Sequence, residues 1–294
     1  MAATTPAVEM ALQRLPEAAE LSLHRQQGVT TTAARQNGGI IEGGHPSPHC
    51  DAGPDAGEER PTMLDFDRFE VLTFDCYGTM IDWESGIWAA LRPALTAHRV
   101  DIGHQAALEL FGELEAAAEA EHYHSYKDIL RMVLQGFGTR LGFHPTHTEL
   151  DAFAWSVRDW PAFPDSPAAL KALKRKYKLA VISNVDDDLF SYSAHRLDMR
   201  FDWVITAQQA RSYKPSFNNF MLAFERIGVP RERILHVAQS LYHDVVPAKA
   251  LGLSTVWVNR RHGKAGAGAT PPAQAQPDLE VPDLQTLAQK ATTS

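Results

Sequence analysis

The chain is poor in cysteine and lacks long apolar runs, and each shortage excludes a class of protein. Only two cysteines, Cys50 and Cys76, occur in 294 residues, and no C-x-x-C spacing is present. A disulfide framework is therefore excluded, and a reducing compartment, the cytoplasm, is the expected location. The sequence has no stretch of about 18 consecutive apolar residues, so it predicts no membrane-spanning helix.

Positive charge is scarce as well. The chain has 28 lysines and arginines against 36 aspartates and glutamates, which gives a net charge of -8. Such a chain repels polyphosphates and anionic surfaces, so we expect no nucleic-acid partner and no membrane partner. Local cations can outweigh the net charge, and a small-molecule carboxylate therefore stays acceptable as a substrate. A homodimer is compatible with the sequence.

Large apolar residues are sparse at the N-terminus and frequent afterwards. Residues 1–64 are rich in Ala, Thr, Gly, Pro and Gln, and they predict a disordered leader because they bury too little apolar surface to offset the entropy of ordering. Further on, segments of helical spacing alternate with short apolar runs typical of buried parallel strands: "FEVLTF", "KLAVISN", "FDWVITA", "RILHVAQ" and "STVWVNR". This alternation predicts an α/β fold with a Rossmann-like parallel sheet, formed by residues 65–84 and 161–262.

One long stretch has no strand pattern. Residues 85–160 contain amphipathic helical patterns such as "GIWAALRPALTAH" and "AALELFGELEAAAEAEHY", which predict a helical cap inserted after the first strand. Residues 263–294 predict a flexible tail, within which "LEVPDLQTLAQKA" is a candidate to dock back as a strand-turn and a helix.

Polar residues follow several of the predicted strands. Reactive groups of a parallel α/β sheet lie at the carboxyl ends of its strands, and four polar motifs occur there in a fixed order. They are Asp75-Cys76-Tyr77-Gly78-Thr79, Ser183-Asn184, Lys214 in "SYKP" and Asp244 in "LYHDV". Over about residues 68–261 this series resembles the haloacid dehalogenase-like hydrolase superfamily.

The resemblance assigns roles to these residues. It implies that Asp75 is a nucleophile that forms a covalent ester, that Thr79 hydrogen-bonds this nucleophile or its loop, and that Lys214 keeps it ionised. Asp244 is expected to orient or deprotonate the hydrolytic water. The expected substrate-binding residues are Tyr77, Ser183, Asn184 and Gln239, which takes the place of a family serine.

Tyr77 makes the resemblance more specific, because it distinguishes the dehalogenases of the superfamily from its phosphatases. Phosphatases of the superfamily carry an aspartate at this position to protonate the leaving alcohol, whereas a halide leaves as a stable anion. The D-x-Y-G-T form resembles the (S)-2-haloacid dehalogenases and implies hydrolysis of a 2-haloacid-like substrate without metal or other cofactor. Gln239 also stands where phosphatases place a Mg²⁺-binding aspartate. Two alternatives stay open: a Mg²⁺-dependent phosphatase, and a non-catalytic ligand-binding protein with the same fold.

The chain departs from the dehalogenase pattern in its substrate-binding residues. Dehalogenases of this type carry an arginine on an early cap helix, but no arginine occurs between Arg99 and Arg131. Substitutes in that interval are Lys127, His104, His122 and His124. The family tyrosine after the lysine motif is Phe220, and a family asparagine is Leu241. The standard small haloacid is therefore less well supported than the use of Asp75.

For several other residues the sequence allows either a structural role or a role in the site. The acidic run at Asp186, Asp187 and Asp188 is expected to cap a helix more often than to reach the site. His243 is a second candidate base. The cap aromatics, Trp83, Trp88, Phe111, Tyr123, Tyr126 and Trp155, are expected mainly to pack helix against helix, with an apolar pocket as the alternative.

Overall fold

The fold is known from a computed structural model that describes residues 64–120, 122–263 and 268–293. Apart from Leu64, the predicted leader lies outside the described residues. No helix in the described part of the chain has both the length and the apolar character needed to cross a membrane.

A single parallel sheet forms the core and confirms the α/β prediction. Its six strands lie in the order β3-β2-β1-β4-β5-β6. Their bounds are β1 Val71–Phe74, β2 Lys178–Ser183, β3 Trp203–Thr206, β4 Ile234–Ala238, β5 Ser254–Val258 and β6 Leu279–Val281. Because β1 is paired on both sides, the residue that follows it lies at the middle of the carboxyl edge.

Helices cover both faces of this sheet. Along β1, Val71 packs into one apolar cluster while Leu72 and Phe74 pack into the other, since successive side chains of a strand point to opposite faces. The helices are α1 Trp83–Ala97, α2 His104–Glu119, α3 Tyr126–Leu141, α4 His147–Ala154, α5 Ser166–Lys174, α6 Asp187–Arg196, α7 Ala207–Ala210, α8 Phe217–Ile227, α9 Val246–Ala250 and α10 Leu284–Thr292. Short 3₁₀ turns lie at Phe66–Arg68, Ser156–Asp159 and Arg231–Arg233.

Local sequence signals explain where the helices begin and end. The Ser125 side chain accepts a hydrogen bond from the Asp128 amide at the start of α3, and Gly142 ends this helix with a φ of 79°. Such a left-handed residue closes a helix at low cost only when it is glycine. In α8, Phe220, Ala223 and Ile227 are buried at a spacing of three and four residues, which is the apolar stripe of a helix packed on a sheet.

The helices α1 to α4 occupy the segment between β1 and β2, where the sequence predicted the cap. Asp186, which follows β2, attaches this segment to the sheet. Its Oδ1 accepts from the Tyr126 amide at 2.9 Å and its Oδ2 from the Lys127 amide at 3.1 Å. These are unpaired amides at the start of α3, so Asp186 stabilises the N-terminus of a cap helix and not the helix that it precedes in sequence.

The C-terminal segment adds to the sheet. β6 pairs with β5, and α10 packs on α5. The Tyr177 hydroxyl and the Lys176 ammonium both donate to the carbonyl of Ala291, each at 3.0 Å. Residues 279–292 are therefore part of the α/β core, whereas the sequence placed the core boundary at residue 262.

Gly86 generates a prediction about the contact between α1 and the site. A Cβ added at Gly86 would overlap the ring of Trp160, which is 1% exposed and meets Tyr77 edge-on at 5.5 Å. We expect Gly86→Ala to lower the free energy of unfolding by about 1–3 kcal/mol because this buried ring must shift. Denaturant unfolding measures the change.

The matched control is Thr96→Ala, an exposed position on the same helix, with an expected change within about 0.5 kcal/mol. Equal stability of Gly86→Ala and the control would show that the contact with Trp160 is not close.

Candidate active site

The candidate site lies at the carboxyl edge of the three central strands. Asp75 follows β1, and its amide donates to the carbonyl of Val237 on β4 at 3.0 Å. The chain then turns at Gly78, whose φ is 88°. A Cβ at Gly78 would lie 2.8 Å from Gln239 Oε1 and 3.0 Å from Trp83 Nε1. The turn therefore requires glycine both for its backbone conformation and for the close approach of its neighbours.

Lys214 joins the ends of these strands. Its Nζ donates to Asp75 Oδ1 at 2.9 Å, to Asp244 Oδ1 at 2.6 Å and to the carbonyl of Ile182 at 2.8 Å. The side chain is 1% exposed. An ammonium group has three N–H donors, so these contacts use all of them. Lys214 thus serves as the shared counterion of Asp75 and Asp244.

The cluster is buried, and its charges shift one another. Burial alone would lower the pKa of Lys214, but Asp244 and Asp75 raise it, and the ammonium stays charged. Burial opposes the charge of Asp244, but Lys214 and His236 hold its pKa below the usual range. Burial raises the pKa of Asp75, with Lys214 opposing this effect and Asp244 adding to it. Of the two carboxylates, Asp75 is the less strongly stabilised and the more basic.

Thr79 fixes the second oxygen of Asp75. Its hydroxyl donates to Asp75 Oδ2 at 2.7 Å and accepts from the Gln239 amide at 2.8 Å. The side chain of Gln239 points elsewhere: its Oε1 accepts from Thr270 at 3.3 Å, and it lines a neighbouring cavity that does not contain Asp75. Gln239 is thus not among the residues that line the cavity with Asp75: its amide supports Thr79, and its side chain lines the neighbouring cavity.

Asp244 lies on a π-helical turn, Leu241–Val245, and His236 contacts one of its carboxylate oxygens. His236 Nε2 lies 3.1 Å from Asp244 Oδ1, and His236 Nδ1 lies 2.9 Å from the Thr73 hydroxyl. Since the carboxylate can only accept, Nε2 of His236 carries a proton. Phe220 packs edge-on against His236 at 5.2 Å, so a residue that departs from the family pattern supports this histidine.

The three other residues predicted to bind substrate, Tyr77, Asn184 and Ser183, differ in whether they line the cavity. Tyr77 lines the cavity, and its hydroxyl lies 2.9 Å from Ser193 Oγ. Asn184 lines it too, but its side chain accepts from the Lys214 amide at 2.7 Å and donates to Glu119 Oε2 at 3.3 Å. Ser183 is fully buried, is not among the lining residues, and its Oγ has no hydrogen-bond partner. Asn184 is thus placed to position Lys214, and the Ser183 hydroxyl is not presented to the cavity.

The cavity beside Asp75 has a volume of about 30 Å³, and residues of the cap helices α1, α2 and α3 form part of its wall. Its lining residues are Asp75, Tyr77, Trp83, Glu115, Glu119, Tyr126, Asn184, Lys214, Ser240, His243, Asp244 and Thr270. The sequence placed Trp83 and Tyr126 among the packing aromatics and gave no role to Glu115, Glu119 or Thr270. The sequence did contain a signal that the two glutamates face the interior: Glu115 and Glu119 lie on the apolar face of α2, which also carries Leu108 and Phe111.

The substitutes for the missing cap arginine do not line this cavity. Lys127 binds Asp188 at 2.6 Å and lies over the Trp155 ring at 4.7 Å. His104 meets Trp88, and His122 packs against His124. Asp186, Asp187 and Asp188 line a separate surface cavity together with Lys127. None of these three aspartates lines the cavity that contains Asp75.

His243 is a neutral base candidate on the cavity wall. Burial lowers the pKa of His243 to about 4, with the nearby Asp244 opposing this shift. The imidazole is consequently uncharged near neutral pH and can accept a proton.

The residues do not fit the Mg²⁺ site of the superfamily phosphatases. The position two after Asp75 carries a tyrosine, and the side chain at the phosphatase aspartate position, Gln239, is turned away from Asp75. Within the described ranges, no three His, Cys, Asp or Glu side chains are grouped so that they could hold a metal ion. We derive no chemical step through a metal.

Comparison with known proteins identifies the family. Residues 69–252, more than half of the chain, match the model of the haloacid dehalogenase-like hydrolases. The chain belongs to this family, as the four motifs indicated.

Individual relatives include both dehalogenases and phosphatases. The (S)-2-haloacid dehalogenase 4A of Burkholderia cepacia is 25% identical over 205 residues, which cover 66% of this chain and 85% of that protein. The 5-amino-6-(5-phospho-D-ribitylamino)uracil phosphatase YigB of Escherichia coli is 28% identical over 239 residues, covering 75% and 95%. The solved L-2-haloacid dehalogenase of Xanthobacter autotrophicus superposes with a TM-score of 0.63 at 22% identity, covering 75% and 97%. This last likeness supports the fold.

Removing the shared counterion tests the buried cluster. In Lys214→Met two buried carboxylates lose their cation, and we expect the free energy of unfolding at pH 8 to fall by about 3–5 kcal/mol. The pKa values of Asp75 and Asp244 then rise, so the folded state binds more protons than the unfolded state and the variant gains stability as the pH falls from 8 to 5. Denaturant unfolding at both pH values measures this.

The control is Lys171→Met, which breaks an exposed pair with Asp198 and should change stability by less than about 1 kcal/mol. The double variant Lys214→Met/Asp244→Asn should recover part of the loss. A variant Lys214→Met with the pH dependence of the wild type would contradict the counterion role.

A second pH prediction concerns His243. The unfolded chain protonates this histidine near pH 6.5, whereas the folded chain does so only near 4, so stability is complete above 6.5 and declines as the pH falls towards 4. We expect His243→Gln to remove up to about 3 kcal/mol of this decline. The exposed His195→Gln is the control, and equal slopes for the two variants would refute the burial effect.

Proposed function

We propose that this hydrolase cleaves the carbon–halogen bond of a 2-haloacid-like compound through an ester on Asp75, in the manner of an (S)-2-haloacid dehalogenase and without metal. The observation that supports this most is the setting of Asp75. One oxygen is held by Lys214 and the other by Thr79 on the wall of a cavity in which Asp75 is only 6% exposed. A carboxylate in this setting is a nucleophile in a fixed orientation with limited access for water.

In the first step, a carboxylate oxygen of Asp75 attacks the halogen-bearing carbon. A carbon–oxygen bond forms, the carbon–halogen bond breaks, and the halide departs with the bonding electron pair. Attack from the side opposite the halogen inverts this carbon. The halide needs no proton, and Tyr77 fits this requirement because its hydroxyl pairs with Ser193 and burial raises its pKa well above the usual range.

In the second step, water attacks the carbonyl carbon of the Asp75 ester. Asp244 is suited to accept the proton of this water, since its Oδ1 is held by Lys214 and His236 while its buried Oδ2 has no hydrogen-bond partner. The neutral His243 is the other acceptor on the wall. Breaking the bond between the Asp75 carbonyl carbon and the ester oxygen releases an alkoxide, which takes up the proton from the acceptor to give the hydroxylated product. The remaining proton of the water passes to solvent as the Asp75 carboxylate is restored.

A phosphatase is the second candidate because one relative is the phosphatase YigB. Two substitutions count against it. Tyr77 offers no carboxyl group to protonate a leaving alcohol, and the uncharged Gln239 faces away from Asp75.

The test is halide release by wild type and Asp75→Asn from a panel of short and long 2-chloro and 2-fluoro acids and their amides. We expect turnover by the wild type, unchanged by EDTA, and a loss of about 10⁴-fold or more in Asp75→Asn. A single turnover in water labelled with oxygen-18 should place the label on the Asp75 carboxyl. The control is Asp159→Asn, at an exposed carboxylate paired with Arg158.

Each alternative predicts another result. Equal halide release by wild type and Asp75→Asn would refute the ester mechanism. Phosphate release from an ester panel that EDTA abolishes would favour the phosphatase. Tight binding of panel compounds with neither release nor labelling would favour a ligand-binding protein.

A further inference from the structure

The cap side of the catalytic cavity carries two carboxyl groups. Glu115 and Glu119 lie one turn apart on the same face of α2, and both line the cavity that contains Asp75. Tyr126 donates its hydroxyl to Glu115 Oε1 at 2.6 Å, and Asn184 donates to Glu119 Oε2 at 3.3 Å. Neither glutamate forms a described salt bridge with an arginine, a lysine or a histidine.

The one fixed cation among the described lining residues has no free donor. All three N–H groups of Lys214 are used by Asp75, Asp244 and the carbonyl of Ile182. His243 is on the wall but is neutral, because burial lowers its pKa to about 4. Among the described lining residues, a substrate carboxylate would therefore meet no unused fixed positive charge, while it would approach the negative charges of Asp75 and Asp244.

On the wall where a substrate carboxylate would need a positive charge, Glu115 and Glu119 instead provide hydrogen-bond donors and acceptors. Burial raises the pKa of Glu115 to about 7 and that of Glu119 well above its usual range, the latter also because Glu115 is close. Near neutral pH such a pair retains a proton, and it can both accept from an N–H group and donate to a carbonyl oxygen.

A second observation in the same cavity points to a ligand that donates hydrogen bonds. Asp244 is fully buried, lines the cavity, and its Oδ2 has no partner. An N–H or O–H donor, from substrate or from the hydrolytic water, would satisfy this oxygen, whereas a carboxylate would not.

The geometry points to a 2-halo compound whose carbonyl end is uncharged, a small 2-haloamide, with Glu115 and Glu119 as the residues that select the amide over the acid. This inference rests on the proposed function and changes only the substrate class. The amide N–H groups face the carboxyl oxygens of the pair, the amide carbonyl accepts the shared proton, and Asp75 attacks the neighbouring carbon. The halogen chemistry is unchanged, because the halide still leaves without a proton.

The experiment compares (S)-2-chloropropionamide with (S)-2-chloropropionate at pH 8, using chloride release to obtain kcat/KM. We expect the wild type to prefer the amide by at least about tenfold, a factor that corresponds to about 1.4 kcal/mol. In Glu115→Gln, which keeps the size and an acceptor for the Tyr126 hydroxyl, we expect the preference to fall by about tenfold, mainly through a lower KM for the acid, because Glu115 is the ionised member of the pair at pH 8. Glu119→Gln should change the ratio less, because it replaces the member that holds the proton.

The matched control is Glu113→Gln, an exposed carboxylate on the same helix that pairs with Arg140, and it should keep the wild-type ratio. If Glu115→Gln does not fold, the wild-type ratio of amide to acid still decides. Equal or faster use of the acid by the wild type, with oxygen-18 entering Asp75, would overturn this inference and leave the proposed function intact. No labelling of Asp75 with either compound would overturn both.

Discussion

The contact on which the site depends is the ammonium group of Lys214 between two buried carboxylates. Removing these charges from water is expensive, and only their mutual attraction with complete hydrogen bonding offsets that cost. The parallel sheet makes this possible because β2, β1 and β4 are adjacent. Their ends deliver the Ile182 carbonyl, Asp75 and the turn of Asp244 to one point. The order of the strands is thus a condition for pairing Asp75 and Asp244 with one buried cation.

Support for this cluster comes from the hydrogen-bonding residues around it. Thr79 orients Asp75, Asn184 binds both the amide and the carbonyl of Lys214, and His236 with Thr73 holds Asp244. Each of these side chains has its own buried partner, so the reactive groups have little freedom to rotate. Such preorganisation favours attack without a reorganisation of the site during the reaction.

The sequence was sufficient for the strands, the cap helices and the residues at strand ends, because apolar runs and the edge rule depend on local pattern. It failed where the direction of a side chain depends on packing. Gln239 belongs to a motif, yet its side chain faces away, since the turn at Gly78 leaves room for it beside Trp83. Thr270 reaches the wall from a distant segment, and no local pattern indicates that. Glu119 was detectable in principle, as an acid on an apolar helix face.

Family membership and substrate selection depend on different parts of this molecule. The machinery around Asp75 comes from the sheet, and its four motifs match the family. The cap side of the cavity wall includes Glu115 and Glu119 of α2 and Tyr126 of α3. For the proposed 2-haloamide, this cap wall would select the charge of the substrate while Asp75 and Lys214 stay the same. All three donors of Lys214 are used, so no described lining residue from the sheet offers an unused fixed positive charge, and the carboxyl groups that would distinguish an amide from an acid lie on the cap.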